Sequence, residues 1–157
     1  MIRKAILISS FAITLFFLLN GISHSQDKWW KNKKYTNEEA RIKHELCKKT
    51  FKDIGYGFLY NNINYISPYF ESQVYLNVVS NDKGYYSSDQ SGLILSDFMD
   101  YFKVESFGYY NSNKFNSYAF ANGTYSYLSG SKKLDLAVTI SLKYYNKKWF
   151  VDQITIK

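Results

Sequence analysis

Few residues of this chain are equipped for chemistry. It has two histidines, His24 and His44, and one cysteine, Cys47. His44-x-x-Cys47 sets an imidazole and a thiol one turn apart on one face of a helix. That is half a zinc site at most. Zinc takes three or four ligands, and only scattered carboxylates remain to supply the others. The pair therefore reads as a solvent-side helical histidine beside a small buried thiol, and no metal is expected. With one cysteine there is no internal disulfide. There is no Gly-x-Ser-x-Gly turn, and the Ser-Gly pairs at 91–92 and 129–130 read as a helix start and a turn. No glycine-rich phosphate loop follows a strand, so no cofactor is expected.

The remaining candidates are acids. General acid–base work needs a carboxyl whose pKa an apolar pocket has moved. Glu38, Glu39, Glu45, Asp53, Asp97 and Asp100 fall mostly off the apolar stripes of their helices, and Asp135 lies on the polar side of an alternating strand. Asp152 alone is embedded in an apolar strand, between Val151 and Ile154. Turned inward it would be a base in a pocket; turned outward it meets water or Lys143. The outward reading is preferred, and with it a chain that is not an enzyme.

What must position these residues begins with the N-terminus. Arg3 and Lys4 precede an uncharged apolar run from Ala5 to Leu19, and Ser23-His24-Ser25 closes it with small residues at the two positions a signal peptidase reads. Positive start, short apolar run and small-x-small is the secretory pattern, so residues 1–25 are read as a signal peptide cut between Ser25 and Gln26. The rival is an uncleaved anchor, but a spanning helix wants about 20 apolar residues. No later segment is apolar enough to span. The protein is thus expected outside the cytoplasm, periplasmic or extracellular. Its formal charge of +7 loses Arg3 and Lys4 with the signal; the remainder is spread too evenly to argue for nucleic acid.

Residues 26–35, QDKWWKNKKY, form a basic, aromatic leader. Trp and Lys together suit a membrane surface; the alternative, preferred here, is a tether whose tryptophans fold back on the domain. Residues 36–157 read as one domain. Aromatics make up 20% of the chain, enough rings to fill a core and to exclude disorder over most of it. Thr36-x-x-Glu39 is a capping box, and Ile42, Leu46, Thr50, Ile54 and Phe58 recur every fourth residue beside Cys47 and Phe51, predicting a long helix with a break at Gly55 and Gly57. A strand at 74–79, a turn at 80–84 and a return strand at Tyr85-Tyr86 predict a hairpin. Ser87-x-x-Gln90 is a second capping box, and Leu95, Phe98, Met99 and Phe102 are the core stripe of a second helix. Four strands follow, joined by short turns, as an antiparallel meander. The fold class is α+β, a curved antiparallel sheet wrapped over two helices.

This order resembles the nuclear transport factor 2-like fold, a cone of curved sheet over helices. More closely, the chain is similar to domain of unknown function family 4783, exported proteins of Bacteroidetes-type bacteria. The resemblance runs from about Ile54 to Ile156. It rests on Tyr69-Phe70 and Val74-Tyr75-Leu76, Gly84-Tyr85-Tyr86-Ser87, Ile94-Leu95-x-Asp97-Phe98, Tyr118-Ala119-Phe120-Ala121-x-Gly123-Thr124, and Ile140-x-Leu142-Lys143 leading into Trp149-Phe150-Val151-Asp152-Gln153-Ile154. These are packing and turn patterns, and fold does not confer function. The resemblance implies a small exported domain, able to pair with a second copy, with no established activity; the expectation beside it is a non-catalytic binding or interaction module. Its candidate partners are a second copy through a sheet face bearing Thr139, Ser141, Tyr145 and Gln153, another protein, or a small apolar ligand in the mouth of the cone. Phe98, Phe102, Tyr118, Phe120 and Trp149 are the candidate lining of that mouth; the competing reading is that these rings fill the core. The alternative function is a pocket enzyme of the ketosteroid isomerase or dehydratase type, whose architecture is similar.

Overall fold

The computed structural model describes residues 26–31, 34–79 and 82–157. The proposed cleavage residue Ser25 lies outside them, and Gln26 opens a 3₁₀ turn, Gln26–Trp29. Helix α1 spans Glu38–Leu59, β1 Phe70–Asn77, β2 Lys83–Ser87 and α2 Ser88–Tyr101. The chain then runs through β3 Val104–Lys114, β4 Tyr118–Ser129, β5 Lys132–Tyr145 and β6 Lys148–Ile156. Short 3₁₀ turns at Ile63–Tyr65 and Ser67–Tyr69 link α1 to the sheet.

The six strands form one sheet in the order β2-β1-β6-β5-β4-β3. The expectation of an all-antiparallel sheet needs correction, because β1 and β6 run parallel, with Leu76 opposite Ile154. The two helices pack on one side, here the inner face, and that choice follows the alternation of the strands. Ala119, Ala121 and Tyr125 of β4, Val138, Ile140 and Leu142 of β5, and Trp149, Val151, Ile154 and Ile156 of β6 all point inward and are buried.

Helix α1 departs from its sequence reading in three ways. Its cap is Asn37, whose Oδ1 accepts from the Glu39 amide at 2.8 Å, and not Thr36. The helix runs unbroken through Gly55 and Gly57. A Cβ on Gly57 would lie 2.3 Å from Ile66 Cγ1, so this glycine admits a neighbouring side chain and does not end the helix. Finally, the buried stripe is His44, Cys47, Phe51, Ile54 and Phe58, whereas Ile42 and Leu46 are exposed. His44 is therefore inside, and not on the solvent side. Helix α2 has the predicted capping box and buries Leu95, Phe98 and Met99, while Phe102 caps its C-terminus half-buried.

Candidate functional site

The interior of the cone is packed with rings. Phe58 stacks on Phe107 at 5.1 Å between centroids, Tyr125 sits 5.2 Å from Phe98, and Tyr109 meets Phe51 at 5.9 Å. The phenols of Tyr109 and Tyr125, which enter this space, have partners on the backbone. Tyr109 donates to the Phe51 carbonyl at 3.0 Å and Tyr125 to the Phe102 carbonyl at 2.6 Å. Burial holds both phenols well above their ordinary pKa, so neither ionises near neutrality. Burial likewise raises the Cys47 thiol, with Lys114 and Lys43 pulling the other way; it is a packing residue. Among the described residues no three metal-ligating side chains converge.

His44 is the buried histidine of this core. The Trp30 indole donates to its Nε2 at 2.9 Å. An indole can only donate, so Nε2 carries no proton and the ring is the neutral Nδ1–H form. That proton faces the Tyr35 hydroxyl at 2.9 Å. Trp29 packs beside Trp30, 4.7 Å from the Tyr109 ring, and its carbonyl accepts from Ser112 Oγ at 2.7 Å. The leader's two tryptophans are thus part of the core. The preferred reading of the leader, tryptophans folded back on the domain, is the one observed, with His44 as the partner that the sequence placed on the solvent side.

The proposed mouth residues do not share one site. Phe98 and Phe102 lie together, 5.1 Å apart, along an open groove of about 590 Å³ formed with Val79, Asp82, Ile94, Asp97 and Tyr101. Trp149 is at another end of the inner face, where its indole donates to the Lys43 carbonyl at 2.9 Å. It floors a basic groove of about 310 Å³ bordered by Lys49, Lys147 and Lys148. Tyr118 and Phe120 alternate with the inward Ala119 and Ala121, so they stand on the outer face of the sheet. There Tyr118 donates to Ser141 Oγ at 2.8 Å.

Asp152 is also on the outer face. The pairing of β5 and β6 shifts between Ser141 and Leu142: Ser141 opposes Gln153 and Leu142 opposes Val151. This bulge takes up one residue of β6 and turns Asp152 toward Lys143, 2.5 Å from its ammonium nitrogen. The carboxylate in turn holds the Lys143 pKa above its ordinary value, with the direct hydrogen bond the main cause. The outer face continues as cross-strand polar pairs, Thr139 with Asn122 at 2.9 Å and Ser126 with Asp135 at 2.7 Å. It ends in a shallow recess of about 600 Å³ that holds Tyr118, Lys143, Tyr145 and Glu71.

A curved sheet closed over a long and a short helix defines a nuclear transport factor 2-like fold. Rd1NTF2_04 with a long sheet matches at 8% identity with a TM-score of 0.58, covering 70% of this chain and 98% of that one. A Novosphingobium aromaticivorans protein, assigned provisionally as a scytalone dehydratase, matches at 10% identity and 0.54, covering 76% and 86%. At such identities the likeness shows the fold alone. Within that class, residues 51–157 match the model of DUF4783, a domain of unknown function, and the chain belongs to this family. The crystal structure of a DUF4783 protein from Bacteroides uniformis is 19% identical, with a TM-score of 0.61 over 68% of this chain and 94% of that one. No curated protein sequence matches.

Proposed function

We propose that this domain is a non-catalytic interaction module that associates with a second copy through the outer face of its sheet. The observation that carries this reading is the division between the two faces. The cone, where an enzyme of this architecture would hold an ionisable group, is filled by Phe51, Phe58, Phe98, Phe107 and Tyr125. The acid that could have served as a base, Asp152, is turned out to Lys143. The outer face, in contrast, presents large rings to water: Tyr85 is 71% exposed and Tyr145 59%. A two-fold interface needs a patch complementary to itself. The recess that holds both Glu71 and Lys143 among tyrosines has that property.

Sedimentation velocity of the purified protein tests this. A dimer is expected that dissociates on Phe120→Lys, which puts a charge in the middle of the face, while the melting midpoint stays within a few degrees. A wild-type protein that remains a monomer at the highest soluble concentration overturns the reading. So does a dimer indifferent to Phe120→Lys.

A further inference from the structure

The groove at the C-terminal end of α2 is built differently from both the filled cone and the outer face. Its floor is aromatic. Phe98 and Phe102 lie 5.1 Å apart, and Tyr101 meets Phe102 edge to face at 4.7 Å. Tyr101 is 81% exposed, so a ring stands in water at the rim. Leu93, Asp97 and Tyr101 follow at every fourth residue of α2, one exposed stripe leading into the groove.

Its charge runs against the rest of the molecule. The chain carries a formal +7, yet α2 holds Asp89, Asp97 and Asp100 with no Lys or Arg, and among the described residues no cation lines the groove. Asp97 and Asp100 sit at the end of the helix where the macrodipole is negative, the end that disfavours anions. Asp100 is compensated, by Lys103 at 3.1 Å and by the Asn61 side-chain amide at 3.1 Å. Asp97 makes no ion pair or side-chain hydrogen bond among the described residues. The helix end thus holds an acid that helix electrostatics disfavour, lining the same groove as the exposed Tyr101 and half-buried Phe102 rings. A cation seated there meets three favourable terms at once: the carboxylate, the negative helix end and the ring faces.

We infer that this groove is a docking site for an arginine side chain of a partner protein, presented by a peptide with apolar neighbours. Charge complementarity selects a cation. The aromatic floor selects arginine over lysine, because a guanidinium is planar, weakly hydrated and stacks on rings. The apolar wall of Val79 and Ile94 takes the flanking side chains. The site is distinct from the sheet-face association, which the mass of the protein reports independently.

The test uses the full chain, isotope-labelled, and two probes: acetyl-Leu-Arg-Leu amide and its neutral counterpart with citrulline in place of arginine. The arginine peptide is expected to shift the backbone amides of residues 94–102 and to bind about fivefold more tightly than the citrulline peptide, with a difference that shrinks in salt. Asp97→Asn should reduce that difference while leaving the melting midpoint unchanged or slightly raised, since it removes an anion from a helix C-terminus. Weaker arginine binding without loss of stability is a pattern that a merely structural Asp97 would not produce. Equal affinities for the two peptides, shifts centred on the outer face, or no shifts at all overturn the inference.

Discussion

The two faces of this sheet are made by the same strands, alternating residue by residue, and they are stabilised by different means. On the inner face each large side chain touches several others, and the buried phenols of Tyr109 and Tyr125 are satisfied by main-chain carbonyls. On the outer face the contacts are pairs: Tyr118 with Ser141, Thr139 with Asn122, Lys143 with Asp152. Removing an inward residue leaves a cavity in a packed interior. Removing an outward one releases a group into water. Stability should therefore reside on one face, leaving the other free to vary with whatever it binds.

The sharpest test of that contrast is Phe98→Ala. Phe98 is buried against Tyr125 and Phe102, and its truncation should cost about 3–5 kcal/mol, the usual range for a large core aromatic. Chemical denaturation measures it; an unchanged midpoint would mean that α2 is not anchored where the structure puts it.

A smaller inward effect is set by pH. Burial raises the Tyr109 and Tyr125 pKa values above that of an unfolded tyrosine, about 10. The folded state then keeps protons that the unfolded chain gives up. Their contribution to stability is complete below about pH 10 and declines as pH rises above it. Phenolate absorbance should accordingly show the Tyr109 and Tyr125 phenols held back until the protein unfolds. A single class of tyrosine would erase the distinction between the faces.

The smallest change should come from the outer face. Asp152→Asn removes the partly exposed pair with Lys143 and should alter stability by less than about 1 kcal/mol. A loss comparable to that of Phe98→Ala would show that the outer face carries structural load as well.

Legibility in the sequence followed the range of the interactions. Helix α2 was readable because its determinants are local: Ser87 and Gln90 close its capping box, and Leu95, Phe98 and Met99 repeat within two turns. The end of α1 was not. His44 looks like a surface residue until Trp30, fourteen positions earlier, donates to it. Asn37 displaced Thr36 as the cap because either side chain can accept from the first amides, and the entering chain decides between them. In β4, size misled. Tyr118 and Phe120 look like lining residues beside Ala119 and Ala121, yet the small residues face inward, where the rings of α1 and β3 have taken the space. The parity of Tyr125, shared with Ala119 and Ala121, was the available clue. Asp152 depended on a bulge that alternation alone does not reveal.

The place of β6 has a consequence for how the molecule assembles. It lies between β1 and β5 and, among the described strands, joins the β2-β1 hairpin to the β3-β4-β5 meander within the sheet, although it follows both in the chain. Each of those units can form from near neighbours. Their union waits for Ile154 to find Leu76 across most of the domain, a long-range closure of the kind that slows folding. During synthesis the two half-sheets would each expose an open edge until β6 emerges to join them. With β6 in place the sheet is continuous from β2 to β3.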